Sequence, residues 1–363
     1  MVDRWRKLAV GAGLALVLGS TTLVSTASAA VLSCGQTITT STTLENDVGP
    51  CADYGIIIGA DNIVFNLNGH RIFGTSEAGD GAGVYVLNRT GVTVRSGTVT
   101  DFDGGVVVEG GSGNTVQQII ARDNIGDVSE LLFTDFGDGI LVFQSNNNRI
   151  LQNYAVHNGP FDGIGILGNS DGNLLQGNVV ELNNVPDARP GHESPEGNEQ
   201  EDDGIRLETI SYPANTGKPP DTPDNNRLLA NTVRDNGLDG IAVFPLAKDN
   251  LLEGNVITGN GKLGNIRPGD GIHVFGRALR TIIRNNRVLS NARDGIILDF
   301  FDPFTFPTPN ANRVERNISL QNGVDAKGFP AYDLADQNRF CDGNIWVANT
   351  FQTKNDPGSD CIH

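Results

Sequence analysis

The feature that most constrains this chain is a phrase it writes many times. Asp-Gly-Ile followed by a short apolar run occurs as GDGILVF from Gly137, LDGIAVF from Leu238, GDGIHVF from Gly269 and RDGIILD from Arg293. The aspartates of the triplet stand at positions 138, 162, 203, 239, 270 and 294, so by subtraction they lie 24, 41, 36, 31 and 24 residues apart. A basic period of 24, lengthened in places by inserted loops, means a stack of similar units. Upstream, GAGVYVL from Gly81 and DGGVVVE from Asp103 fit the same slot, with Val84 and Val106 in place of the isoleucine. After each triplet an asparagine, an apolar segment and a second asparagine recur, as in NRILQN from Asn148, NLLQGN from Asn173 and NRLLAN from Asn226. A third asparagine closes several units, at Asn158, Asn236, Asn260 and Asn322.

A helical repeat would need apolar residues at spacings of three and four, whereas these units are short β-branched runs cut by Gly and Asn. Strands must dominate. Ile-x-Val puts two apolar side chains on one face and x on the other, because side chains alternate along a strand. Stacked units then bury a continuous apolar column, and the turn asparagines can bond to one another as ladders. The expectation is an all-β solenoid: a right-handed, single-stranded parallel β-helix, the right-handed crossover being the default for parallel strands. In this reading the triplet glycine permits a tight corner, the aspartate bonds turn backbone and the isoleucine fills the core. From about Cys34 to Cys361 the chain resembles the secreted parallel β-helix proteins of the pectin-lyase-like superfold. The resemblance rests on architectural motifs; it implies the fold and, through the fold, a polysaccharide or oligosaccharide partner.

Residues 1–29 carry Arg4, Arg6 and Lys7, an apolar run from Leu8 to Leu18, and the small-x-small sequence Ala27-Ser28-Ala29. That pattern predicts a secretory signal, leaving 30–363 as the β-helix domain of a secreted or cell-envelope protein. The apolar run is too short to span a bilayer. Losing three positive charges and one negative one with the signal takes the formal net charge from -17 to about -19. So acidic a chain is a poor partner for nucleic acid. The four cysteines form two sequence-local pairs, Cys34 with Cys51 and Cys341 with Cys361, which read as disulfides stapling the two ends. A zinc site is the rival reading, but neither pair has CxxC spacing. A monomer is expected.

Function is sought where the repeat breaks. Most outward positions of the repeated strand are apolar; the polar exceptions are Arg206, Glu208, His273 and Asp299. With rungs about 4.8 Å apart, Arg206 and His273 should stand about 10 Å apart, a span suited to a sugar or two. Long insertions flank this region, and one of them holds Phe300, Phe301, Phe304 and Phe306. With Phe244, Phe275 and Asp299, Phe301 and Phe304 are candidate substrate-binding residues, the alternative being a hydrophobic flap over the sheet. The densest chemistry is EDDGIRLE from Glu201 to Glu208. Its carboxylates can hold calcium or keep one carboxyl protonated as an acid. Pectate lyases, which the fold resembles, combine carboxylate-bound calcium with an arginine base. The resemblance suggests such parts for Asp202, Asp203 and Arg206; with the polar outward residues, Glu201 and Asp202 are candidates for calcium, and Asp203, Arg206, Glu208 and His273 for catalysis, the alternative being an acidic, solvated loop leading into an ordinary Asp-Gly corner. The Asn-x-Asp and Gly-His-Gly motifs of polygalacturonases are missing, so a lyase acting on an acidic glycan is expected before a hydrolase. The alternative is a non-catalytic envelope solenoid that binds glycans. His70 falls in an early strand and turn, where a capping or core role is expected, His157 in the turn sequence HNG and His192 in a loop beside Glu193. Copper delivery, known among periplasmic β-helix proteins, is disfavoured because Met1 is the only methionine.

Overall fold

The computed structural model describes residues 27–75, 81–126, 137–183, 203–211, 216–262, 268–275, 277–299, 311–338, 341–356 and 360–363. A central coil contributes one strand to a 12-stranded sheet and two to a 20-stranded sheet that wraps the rest of the stack. Ile140–Phe143, Arg149–Leu151 and Tyr154–Val156 form one such coil; Ile164–Leu167, Leu174–Gln176 and Val179–Glu181 form the next. Successive coils pair in parallel and in register, Ile140 against Ile164 and Ile164 against Ile205. Alternate apolar residues of all three strands point inward and make one column, including Ile140, Ile164, Ile205, Ile241, Ile272 and Ile296, each fully buried. Ser28–Ala30 pairs with Thr42–Leu44 at the first edge, so cleavage after Ala29 would leave only Ala30 of this strand. Among the described residues no helix is long and apolar enough to cross a membrane.

Three rows of buried asparagines run along the corners. Asn178 is representative: its backbone N–H and side-chain amide both donate to Asn231 Oδ1, at 3.0 and 2.9 Å, and the amide also donates to the Ile150 carbonyl at 2.9 Å. Its own Oδ1 accepts from the backbone and amide of Asn153. One side chain thus satisfies groups on three coils, which is why a buried polar residue is tolerated at this position. Insertions leave the rows intact, since Asn173 bonds to Asn226 although 53 residues separate them. The row through Asn291 and Asn322 ends on the Asp333 carboxylate, whose other oxygen accepts from the backbone of Gln352 and Thr353.

The triplet glycine has a different cause from the one expected. Its φ is not positive; a Cβ on Gly204 would lie 2.3 Å from Val233 Cγ1 and 2.6 Å from the Gly240 carbonyl. Glycine is required because the next coil and the opposite wall come too close for any side chain. The aspartate reading holds: Asp203 Oδ1 accepts from the Asp239 backbone at 2.8 Å, and Asp239 and Asp270 repeat the bond one coil further each time. Cys34–Cys51 and Cys341–Cys361 are bonded, one pair in each terminal region.

Candidate functional site

The outward residues of the 12-stranded sheet are in the register expected, Gly165 beside Arg206, then Ala242, then His273. Arg206 and His273 are therefore two rungs apart, about 10 Å. Their environment differs from that of an open groove. Arg206 is 1% exposed and His273 2%. Val107, Leu141, Ala242 and Ile297 on the same face are equally buried, and Ala82, Val107, Leu141, Phe143 and Leu167 form a second small core outside the sheet. The small neighbours of Arg206 leave no vacant space: a Cβ on Gly165 would meet Leu167 at 2.9 Å and Asp138 Oδ1 at 3.0 Å.

Arg206 uses its whole fork. Nε lies 3.1 Å from Asp203 and 3.2 Å from Asp162, Nη2 lies 3.0 Å from Asp203, and Nη1 lies 3.4 Å from Glu208. Its guanidinium sits 4.8 Å from the Phe244 ring centre, Phe244 packs on Phe275 at 4.9 Å, and Phe275 stacks on His273 at 3.5 Å. The two phenylalanines thus bridge the two cations, and Phe275, with 4% exposure, presents no free face for a sugar. Glu208 and Asp299 are the more open members, with side chains 31% and 18% exposed.

His273 Nδ1 lies 3.0 Å from Asp239 and 3.1 Å from Asp270; Nε2 lies 3.7 Å from Asp299 and has no hydrogen-bond partner. Burial pushes the imidazole down, but attraction to Asp239 and hydrogen bonds to Asp239 and Asp270 outweigh it and raise it to about 10. Arg293 completes the row by donating to both oxygens of Asp270. Burial alone would raise Asp270, yet Arg293 and His273 hold it below its ordinary value. Around Asp138, Asp162 and Asp294 burial and the neighbouring carboxylates outweigh the guanidinium groups: Asp138 and Asp294 are pushed up to about 7, and Asp162 is raised well above its ordinary value even with Arg206 at 3.2 Å.

Asp239, Asp270 and His273 place their ligand atoms within 4.8 Å of one another, a grouping that sequence reasoning missed. It does not suit calcium, which takes six to eight oxygens. An imidazolium and the Arg293 guanidinium already balance the two carboxylates. The signal for Arg293 was present in RDGIILD, where a cation directly precedes a column aspartate. Glu201, Asp202, Phe300, Phe301, Phe304, Phe306 and His192 lie outside the described residues. His70 stands in a turn, 3.3 Å from Asp47, and His157 in another, 3.7 Å from Asp123.

Among solved structures, the A-module of the mannuronan C-5 epimerase AlgE4 from Azotobacter vinelandii is similar at 15% identity and a TM-score of 0.61, covering 92% of this chain and 88% of that one. The AlgE6 A-module of the same organism gives 15% identity and a TM-score of 0.51, covering 92% and 90%. A periplasmic alginate epimerase, AlgG, gives 13% and 0.52, covering 87% and 73%. Likeness at such identities shows the fold. No curated relative matches the sequence. The pattern described as the right handed beta helix region matches residues 28–191, 133–278 and 222–352, nearly the whole of the coil stack, and the chain therefore belongs to the right-handed β-helix family.

Proposed function

We propose that this protein is an extracellular polysaccharide-binding β-helix whose charged row on the 12-stranded sheet holds coils together rather than performing chemistry. The observation that carries the reading is the state of Arg206, which is 1% exposed with its guanidinium committed to Asp162, Asp203 and Glu208. A clamp for a substrate carboxylate must be reachable and must lack such partners. The polysaccharide half of the reading is supported by neighbours of the same fold that act on mannuronan and alginate. The extracellular half is supported by two disulfides and by the N-terminal segment, in which Arg4, Arg6 and Lys7 precede an apolar run.

One observation favours a catalytic reading, of epimerase or lyase type: His273 Nε2 is a buried ring nitrogen without a hydrogen-bond partner, in a group held protonated. Such a nitrogen is what a general acid presents. Incubating the purified protein with polyuronates and neutral glycans in deuterated buffer separates the two. Retention on a glycan with no unsaturated ends, no new reducing ends and no deuterium at C5 is expected. Any of those three products, abolished by His273→Gln, would establish the catalytic reading instead.

A further inference from the structure

The 20-stranded sheet has the opposite electrical character from the chain as a whole. From Arg149–Leu151 to Ile318–Leu320 its strands hold six arginines, three glutamates and no lysine or aspartate, in a protein with a formal net charge of -17. Each glutamate is matched: Glu181 with Arg234, Glu253 with Arg284 at 2.8 Å, and Glu315 with Arg313 at 2.6 Å. Six minus three leaves Arg149, Arg227 and Arg287, which form no ion pair among the described residues and are all exposed.

Their placement is regular. Arg149 pairs with Leu174 and Leu174 with Arg227, so two coils separate the first two arginines. Thr232, in the same coil as Arg227, pairs with Val256, and Val256 with Arg287, two coils further. Unpaired guanidinium groups thus recur at every second coil, a step of about 10 Å along the axis. Arg149 and Arg227 stand on one run of the sheet with half-buried Leu229 and Leu251, and Arg287 stands with half-buried Val256 on the adjoining run, across the corner held by Asn231.

We infer that this arginine-bearing face of the 20-stranded sheet is the binding surface for a linear acidic polysaccharide lying along the coil axis. The inference deepens the proposed glycan-binding role and rests on it. Arginine, unlike lysine, offers a planar fork that grips a carboxylate through two hydrogen bonds. A step of about 10 Å per cation suits a chain bearing carboxylates at sugar spacing, engaged once in about two residues. The aspartate-rich remainder of the molecule repels polyanions and would confine such a chain to this face.

The test is Arg149→Ser, Arg227→Ser and Arg287→Ser combined, with binding to polymannuronate, polygalacturonate, dextran and single-stranded DNA measured at rising salt. The wild type is expected to bind a polyuronate with affinity that falls as salt rises, and the triple variant to lose at least tenfold with an unchanged melting curve. Equal polyuronate binding by variant and wild type would overturn the face while leaving the glycan-binding role standing. So would binding of the wild type to dextran alone, or tighter binding of the DNA than of any polyuronate. Binding to no glycan would overturn the role itself.

Discussion

At the scale of the residue, burial decides what Arg206 does. Removing one member of a buried, hydrogen-bonded pair typically costs about 3–5 kcal/mol, because the partners stay buried and uncompensated. Arg206→Met is therefore expected to lower the thermal midpoint by roughly 4–7 °C and to leave glycan binding unchanged, which scanning calorimetry and a binding assay would check. A variant that melts like the parent but no longer binds would show that Arg206 holds the glycan. The column of aspartates makes a second prediction, on pH. Asp138 and Asp294 have folded values raised to about 7, so they stabilise the fold fully at low pH and that contribution is lost as pH rises through about 7. His273, raised to about 10, contributes below its unfolded value near 6.5 and loses its contribution as pH climbs through about 10. Asp138→Asn should accordingly raise the midpoint at pH 8, make little difference at pH 4, and flatten the profile between them. The alternation of side chains revealed that Arg206 and His273 face outward, two rungs apart. It carried no information on what covers an outward residue or on how Gly165 and Ala242 let the guanidinium lie against two aspartates, so the closed state of the site was not legible.

At the scale of the strand and its corner, the sequence was far more informative, because each coil repeats the same packing problem and solves it with the same residues. The asparagine rows follow from NLLQGN and its copies, and the structure adds only which group donates to which. Asn178→Ala would strand the Asn153 backbone N–H and the Ile150 carbonyl, at about 1–3 kcal/mol each. Hydrogen exchange is expected to show the loss concentrated in the coils of Asn153, Asn178 and Asn231. The triplet glycine was placed correctly and explained wrongly, since sequence shows that a side chain is forbidden but not what it would strike. Gly204→Ala, with an added methyl 2.3 Å from Val233, should destabilise strongly, whereas Gly254→Ala meets nothing within 4 Å and carries only the cost of its positive φ.

At the scale of the molecule, the disulfides close loops with separations of 17 and 20 residues, each worth about 3 kcal/mol in the chain-entropy account. Reduction should therefore loosen the terminal coils first and leave amide protection in the central coils high, because neighbouring coils support one another. The stack also has a sense of direction. The bonds from one asparagine to the next run toward the C-terminal coil, as from Asn153 to Asn178, while those of the aspartate row run back, as from Asp239 to Asp203. The two ends of the solenoid are thus chemically unlike, as the two ends of a filament are. At the C-terminal end, the Asp333 carboxylate takes the hydrogens of Asn322 and, unlike an asparagine amide, has none of its own to pass on, while the Asp333 N–H donates to the Thr353 hydroxyl, so the row is punctuated there. Asparagine at 333 would turn a donor toward the Gln352 and Thr353 N–H groups that its carboxylate now receives, unseating the final segment and exposing a row still able to lend hydrogens to another coil, the chemical opening from which end-to-end assembly begins.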